Sequence, residues 1–269
     1  MKGNKSIVIS ICFDGLIDQI ACIQFVSDLF KMHYGKVFSD LYYTITDKTK
    51  TNWKQKTRGG KFTEKRFFKF TDHVSLIDDK ISVDFELLTN QKNYEYKSRD
   101  IDISFSHNQM DVIKSITSII SVEDNETTNI KELLKSLVSF LLNQKCNIWY
   151  GSVFIMENIK LPAFYVHGIQ TENLTPAEEE ILSKWADGRK GCNKKIWGIF
   201  WGNIISKNHL NGDSIKNIKK TVGEENVFQY ADNLFWFNLP ESLNNFELTK
   251  YSTKREELHM CFQKNNLLL

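Results

Sequence analysis

The sequence predicts an α+β protein: two mixed α/β layers with largely antiparallel sheets, packed as one body. Three observations point there. Extended runs rich in β-branched and aromatic residues occur in both halves of the 269 residues, helical spacings are interspersed among them, and no regular βαβ alternation connects them. Aromatic residues make up 13% of the chain against only 3 prolines, which favours large packed faces over a loop-dominated scaffold.

Residues 6–13 read as a buried strand, rich in isoleucine and valine. Residues 16–32 place Leu16, Ile17, Ile20, Ile23, Val26 and Phe30 at helical spacing, and Gly35 stands where a helix-ending glycine belongs. Residues 37–45 resume as a strand, and 66–74, 80–88 and 99–106 follow as extended segments separated by Asp, Asn and Lys clusters. Asn108 or Asp111 then caps a helix running to Ile120. A polar break at 121–129 divides an N-terminal half, 1–125, from a C-terminal half, 126–269, and Asn129 opens a helix over 130–143.

In the C-terminal half, 147–156 and 163–169 read as strands. Thr175-Pro176-Ala177-Glu178 marks a helix start, because Thr175 can accept from the third backbone amide, Pro176 suits the first turn and Glu178 can reach back. That helix runs to Asp187 with Ile181, Leu182 and Trp185 on its apolar face. Residues 195–205 read as a strand, Asp213 caps a helix ending near Gly223, 227–230 and 234–239 form a hairpin, and 254–264 form a closing helix.

Hydrophobic residues at 41%, charged residues at 25% and a net charge of +2 describe an ordinary globular chain. The first apolar run is interrupted by Ser10 and ended by Asp14, so no secretion signal is expected, and no run reaches the length of a membrane helix. Five cysteines, odd in number and without a C-x-x-C pair, are expected as reduced thiols of a cytoplasmic protein.

No catalytic constellation stands out in the sequence. The glycine pairs match neither a P-loop nor a dinucleotide fingerprint, and the six histidines are scattered singly, so no cofactor and no metal site are expected. Cys192 with His209 is a pairing that chance alone supplies in a chain of this length. Glu178, Glu179 and Glu180 have a structural reason to stand in a first helical turn, where they oppose the positive end of the dipole. The chain is expected to be no enzyme.

Charge distribution says more than net charge. Residues 47–69 hold nine basic and two acidic residues, with Trp53, Phe62, Phe67 and Phe68 interleaved. Lys54, Lys56 and Arg58 within that run would meet phosphates if the segment binds nucleic acid, with the rings meeting bases; the simpler reading is a solvated hairpin tip. Residues 121–187 are the reverse, with ten acidic and five basic residues, and offer an acidic face to a basic partner. Trp185, Trp197, Phe200 and Trp201 form an aromatic cluster followed by His209, read either as core or as partner-facing anchors.

Trp149-Tyr150-Gly151, the segment from Leu161 to Tyr165, Gly168-Ile169, Asn173-Leu174-Thr175, the glutamate-rich helix to Trp185, Lys195-Ile196-Trp197, Trp201 through Ile205 and His209-Leu210 together resemble immunity proteins of bacterial polymorphic-toxin and type VI secretion systems, above all the immunity protein 52 group. The resemblance covers the C-terminal half. It implies a cytoplasmic protein that neutralises one cognate protein toxin by binding it, without a reaction of its own. Glu178, Glu179, Trp185, Trp197, Trp201 and His209 are the contact candidates, and the resemblance transfers no fixed contact set. The near-neutral overall charge departs from the strongly acidic faces that inhibitors of cationic nucleases carry.

Overall fold

The computed structural model describes residues 5–15, 130–157, 198–210, 212–247 and 249–268 as continuous runs, the strands 40–47, 54–61, 81–88, 101–107 and 114–121, the pieces 159–160 and 170–171, and single positions 21, 25, 28, 63, 65, 176, 177, 180, 195 and 196. The first half supplies β1 (Lys5–Asp14), β2 (Asp40–Asp47), β3 (Lys54–Lys61), β4 (Ile81–Leu88), β5 (Ile101–His107) and β6 (Lys114–Ser121). Then come α1 (Ile130–Asn143), β7 (Asn147–Glu157), the short pair β8 (Ile159–Lys160) and β9 (Gln170–Thr171), β10 (Gly202–Ser206), α2 (Gly212–Val222), β11 (Val227–Ala231), β12 (Leu234–Asn238) and α3 (Thr253–Lys264). No helix among the described residues is long and apolar enough to cross a membrane.

The fold is α+β. Strands β11, β12, β10, β7 and β1 form, in that order, a five-stranded antiparallel sheet accompanied by the three helices. Beyond β1 the backbone ladder continues through β6, β5, β4, β2 and β3, again with antiparallel pairing throughout. β1 therefore pairs on one side with β6 and on the other with β7, with a bulge at Cys12/Phe13 on the β7 side.

Helix α1 forms because Ile130, Leu133, Leu134, Leu137, Val138 and Leu141 repeat at helical spacing, and all six are buried. Each contributes about 1.5–3 kcal/mol by leaving water. Helices cover both faces of the sheet. Phe237 stacks on Phe262 of α3, ring centroids 6.4 Å apart, while the adjacent Trp236 points to the opposite face and shares it with its cross-strand partner Phe228, over which α1 holds the Lys131 ammonium. Phe25 stacks on Phe140 of α1 at 4.2 Å and brings the helical position 25 onto that side.

Two glycines are required by geometry. A side chain at Gly202 would run into the six-membered ring of Trp236, which crosses β10 there. Gly223 has φ +92 and donates its N–H to the Lys219 carbonyl at 2.9 Å, ending α2 where the sequence places the stop.

Two expectations are overturned. The helix expected from residue 108 to 120 gives way over 114–121 to β6, because Ile116, Ile119 and Ile120 imitate helical spacing, but pairing with β1 and β5 on both sides rewards a β-branched run more than a lone helix would. The strand expected over 195–205 begins only at Gly202. The Asn203 amide accepts from the Phe200 N–H at 3.0 Å and donates to the Phe200 carbonyl at 2.9 Å, which closes a turn just before β10. Ile196 instead makes a parallel bridge to Leu268. The expected segments 66–74 and 163–169 lie outside the described residues.

Candidate functional site

Of the residues singled out from sequence, Glu178, Glu179, Trp185 and Trp197 lie outside the described set, although Pro176, Ala177 and Glu180 beside them are helical and exposed. Trp201 and His209 are inside the core. Trp201 is 7% exposed, donates its indole N–H to the Glu241 carbonyl at 2.7 Å and meets Trp236 edge to face at 6.2 Å. His209 is fully buried at the end of the 3-10 turn Lys207–His209, which Ser206 caps by accepting from the Asn208 N–H. Neither side chain offers surface to a partner. Lys54, Lys56 and Arg58 fall on β3, opposite Asp47, Ile45 and Tyr43 of β2, so the segment read as a hairpin tip is an outermost strand of the described ladder.

The most elaborate polar construction is one the sequence reading passed over. Arg255 is 2% exposed, and its guanidinium donates from Nε to the Ile199 carbonyl at 2.7 Å and from one terminal nitrogen to the Glu247 and Lys250 carbonyls at 3.2 and 3.0 Å. The rings of Tyr251, Phe246 and Phe200 lie 4.0, 4.8 and 5.9 Å from it. Burial pulls the guanidinium below its ordinary pKa, while the nearby Tyr251, Tyr150 and Glu241 work the other way. A signal existed: Arg255, Leu258 and Phe262 share one helical face, so the arginine had to point inward with them. The arrangement fastens α3 to the turn before β10 and to the segment after β12.

Tyr251 carries that stack to the surface. It is 45% exposed and meets His259 edge-on at 5.6 Å, and burial together with the Arg255 charge holds the His259 pKa below its usual range. On the opposite margin of the sheet, β11 leaves Phe228 and Gln229 exposed, and Tyr230 is pushed up to about 12 by burial, reinforced by Glu132. At the end of β1, the Asp14 carboxylate accepts from the Asn147 amide at 2.7 Å and from the Trp149 indole at 3.0 Å, pinning β1 to the start of β7.

Chemically these groups hold and present; among the described residues no three His, Cys, Asp or Glu side chains converge as a metal site would need. Comparison with known proteins returns no matching family model and no matching curated protein.

Proposed function

We propose that this chain is a non-catalytic binding protein that neutralises a cognate bacterial toxin by protein–protein contact, acting in the cytoplasm as an immunity protein of the polymorphic-toxin and type VI class. One observation supports the reading. Two of the segments that bear the resemblance are neighbours: Trp149-Tyr150-Gly151 lies on β7, Gly202 through Ile205 on β10, and the two strands pair with Gly151 opposite Ile204 and Tyr150 opposite Ile205. In this reading the resemblance belongs to the frame, and the partner-specific contacts belong to exposed margins. Residues 1–125 and 126–269 pack as two mixed α/β layers of one body, and no cofactor takes part.

Co-expression with the protein encoded immediately upstream tests it, scored by growth and by co-purification. Rescue of growth with a stable complex is the expected result. A toxic neighbour that this chain neither binds nor neutralises contradicts the reading.

A second reading is favoured by one feature. Three cations stand at the alternate positions 54, 56 and 58 of an outermost strand, a spacing that can track a phosphate backbone. Nucleic-acid binding that weakens steeply with salt and is lost when Lys54, Lys56 and Arg58 are reversed to glutamate supports this reading over the first.

A further inference from the structure

The two margins of the described ladder differ in chemistry. β3 carries four cations and no acid, which discourages pairing with most strands. β11 carries no charge at all, and β12 is its only strand partner among the described residues. Two successive residues on its opposite faces are exposed: Phe228, 45% exposed although the Lys131 ammonium lies 5.4 Å from its ring centroid, and Gln229. Acids bracket it. Glu224 and Glu225 lie in the 3-10 turn immediately before the strand and Asp232 directly after it, all three exposed.

We propose that β11 is the docking edge for an extended segment of a partner protein, added as a further strand, with an apolar centre and lysine or arginine at both ends. This rests on the binding role proposed above and names its surface. Main-chain hydrogen bonds to the open edge supply affinity, Phe228 supplies an apolar contact, and the bracketing carboxylates select cationic ends. A second copy of this chain is the wrong occupant. Antiparallel self-pairing about Gln229 would set Asp232 against Asn226 and Glu225 against Asn233 at each end, crowding acids from both copies. The bulge between Gln229 and Ala231 limits regular pairing to the first part of the strand, so the occupant is short.

The test uses the full chain and a fluorescein-labelled synthetic peptide of alternating threonine and valine with two lysines at each end. Three comparisons accompany it: the same peptide with glutamate ends, the same peptide with alternate backbone nitrogens methylated, and the Glu225→Lys/Asp232→Lys variant of the chain. The lysine-ended peptide is expected to bind, to slow amide exchange at residues 227–230, and to weaken about tenfold or more on methylation, because strand addition needs the peptide N–H groups. The charge-reversed variant is expected to prefer glutamate ends, a gain that loss of folding cannot imitate. Equal binding of the methylated peptide, protection elsewhere than β11, or no binding of any peptide overturns the proposal. A stable complex with the upstream-encoded toxin that leaves β11 exchange unchanged overturns this inference and leaves the neutralising role standing. Peptide capture at β11 by a chain that rescues no toxin does the reverse.

Discussion

The two halves of the described ladder differ in how apolar residues are distributed along their strands. In β1, β7, β10 and β12 both faces are largely buried and mostly apolar, with Ser10, Ser152, Asn203, Ser206 and Asn238 as buried polar exceptions: Ile7, Ile9 and Ile11 lie on one side of β1 and Val8 and Cys12 on the other, with Val153 and Phe154 back to back on β7. In β4 and β5 the register sorts residues by polarity. Positions 83, 85 and 87 of β4 meet 107, 105 and 103 of β5, mostly apolar, whereas Asp84 meets Ser106 and Glu86 meets Ser104. β2 continues the pattern, with Tyr43 opposite Phe85 and Thr44 opposite Asp84. A sheet sandwiched between helices needs apolar residues on both faces, and one with a single apolar face shows clean alternation. The described C-terminal strands are thus committed to folding on both sides, and their exposed Phe228 and Gln229 lie at the margin, on β11.

Side-chain deletions on the two faces of β7 break or sharpen the C-terminal side of this comparison. Phe154→Ala should cost about 3–5 kcal/mol and Val153→Ala about 2 kcal/mol, since both residues are fully buried on opposite faces of β7. Urea denaturation measures both, and a cost within about 0.5 kcal/mol for either would remove the two-faced reading of β7. Arg255→Ala should cost about 3–5 kcal/mol by stranding the carbonyls of Ile199, Glu247 and Lys250, and Arg255→Lys should recover little, because an ammonium cannot reproduce the planar fork. Gly202→Ala should cost about 1–3 kcal/mol as the new methyl displaces the Trp236 ring, visible as a shifted tryptophan emission.

The smallest effect is a pH dependence. The folded-state pKa of His259 lies below its ordinary 6.5, so the unfolded chain binds the proton more readily and stability falls as pH drops from that value through the lowered one. His259→Gln should flatten the stability profile in that window; an unchanged slope would show that other groups set it. At the alkaline end the sign reverses in pH. Tyr230 keeps its proton to about 12 in the folded state, so unfolding is favoured as pH rises above the ordinary 10, and Tyr230→Phe should remove that loss.

The contrast also explains what the sequence could reveal. Strand β1, helices α1, α2 and α3 and the β11–β12 hairpin were legible because each combines a local pattern with a start or stop: Ser252 caps α3, accepting from the Arg255 N–H, and Gly223 ends α2. β6 was misread because three isoleucines fit two periods, and only the flanking strands decide between them. The turn before β10 was missed because it depends on one amide, Asn203, which nothing in a linear pattern distinguishes from its neighbours. The candidate site was less legible still. Large aromatics mark both cores and anchors, so Trp201 could be placed only by burial, and Phe228 could be found only once β11 proved to be an outer strand.

The central claim is that the middle of the sheet is committed to folding and that binding occurs at its margin. Amide hydrogen exchange of the free chain, compared with the chain in complex with the upstream-encoded protein, tests this most directly. The account predicts that β1, β7 and β10 exchange slowly and identically in both, with protection gained at β11 or at another exposed margin. Faster exchange of β7 and β10 than of β4 and β5 in the free chain, or protection that changes first in β1, β7 and β10 on binding, contradicts it.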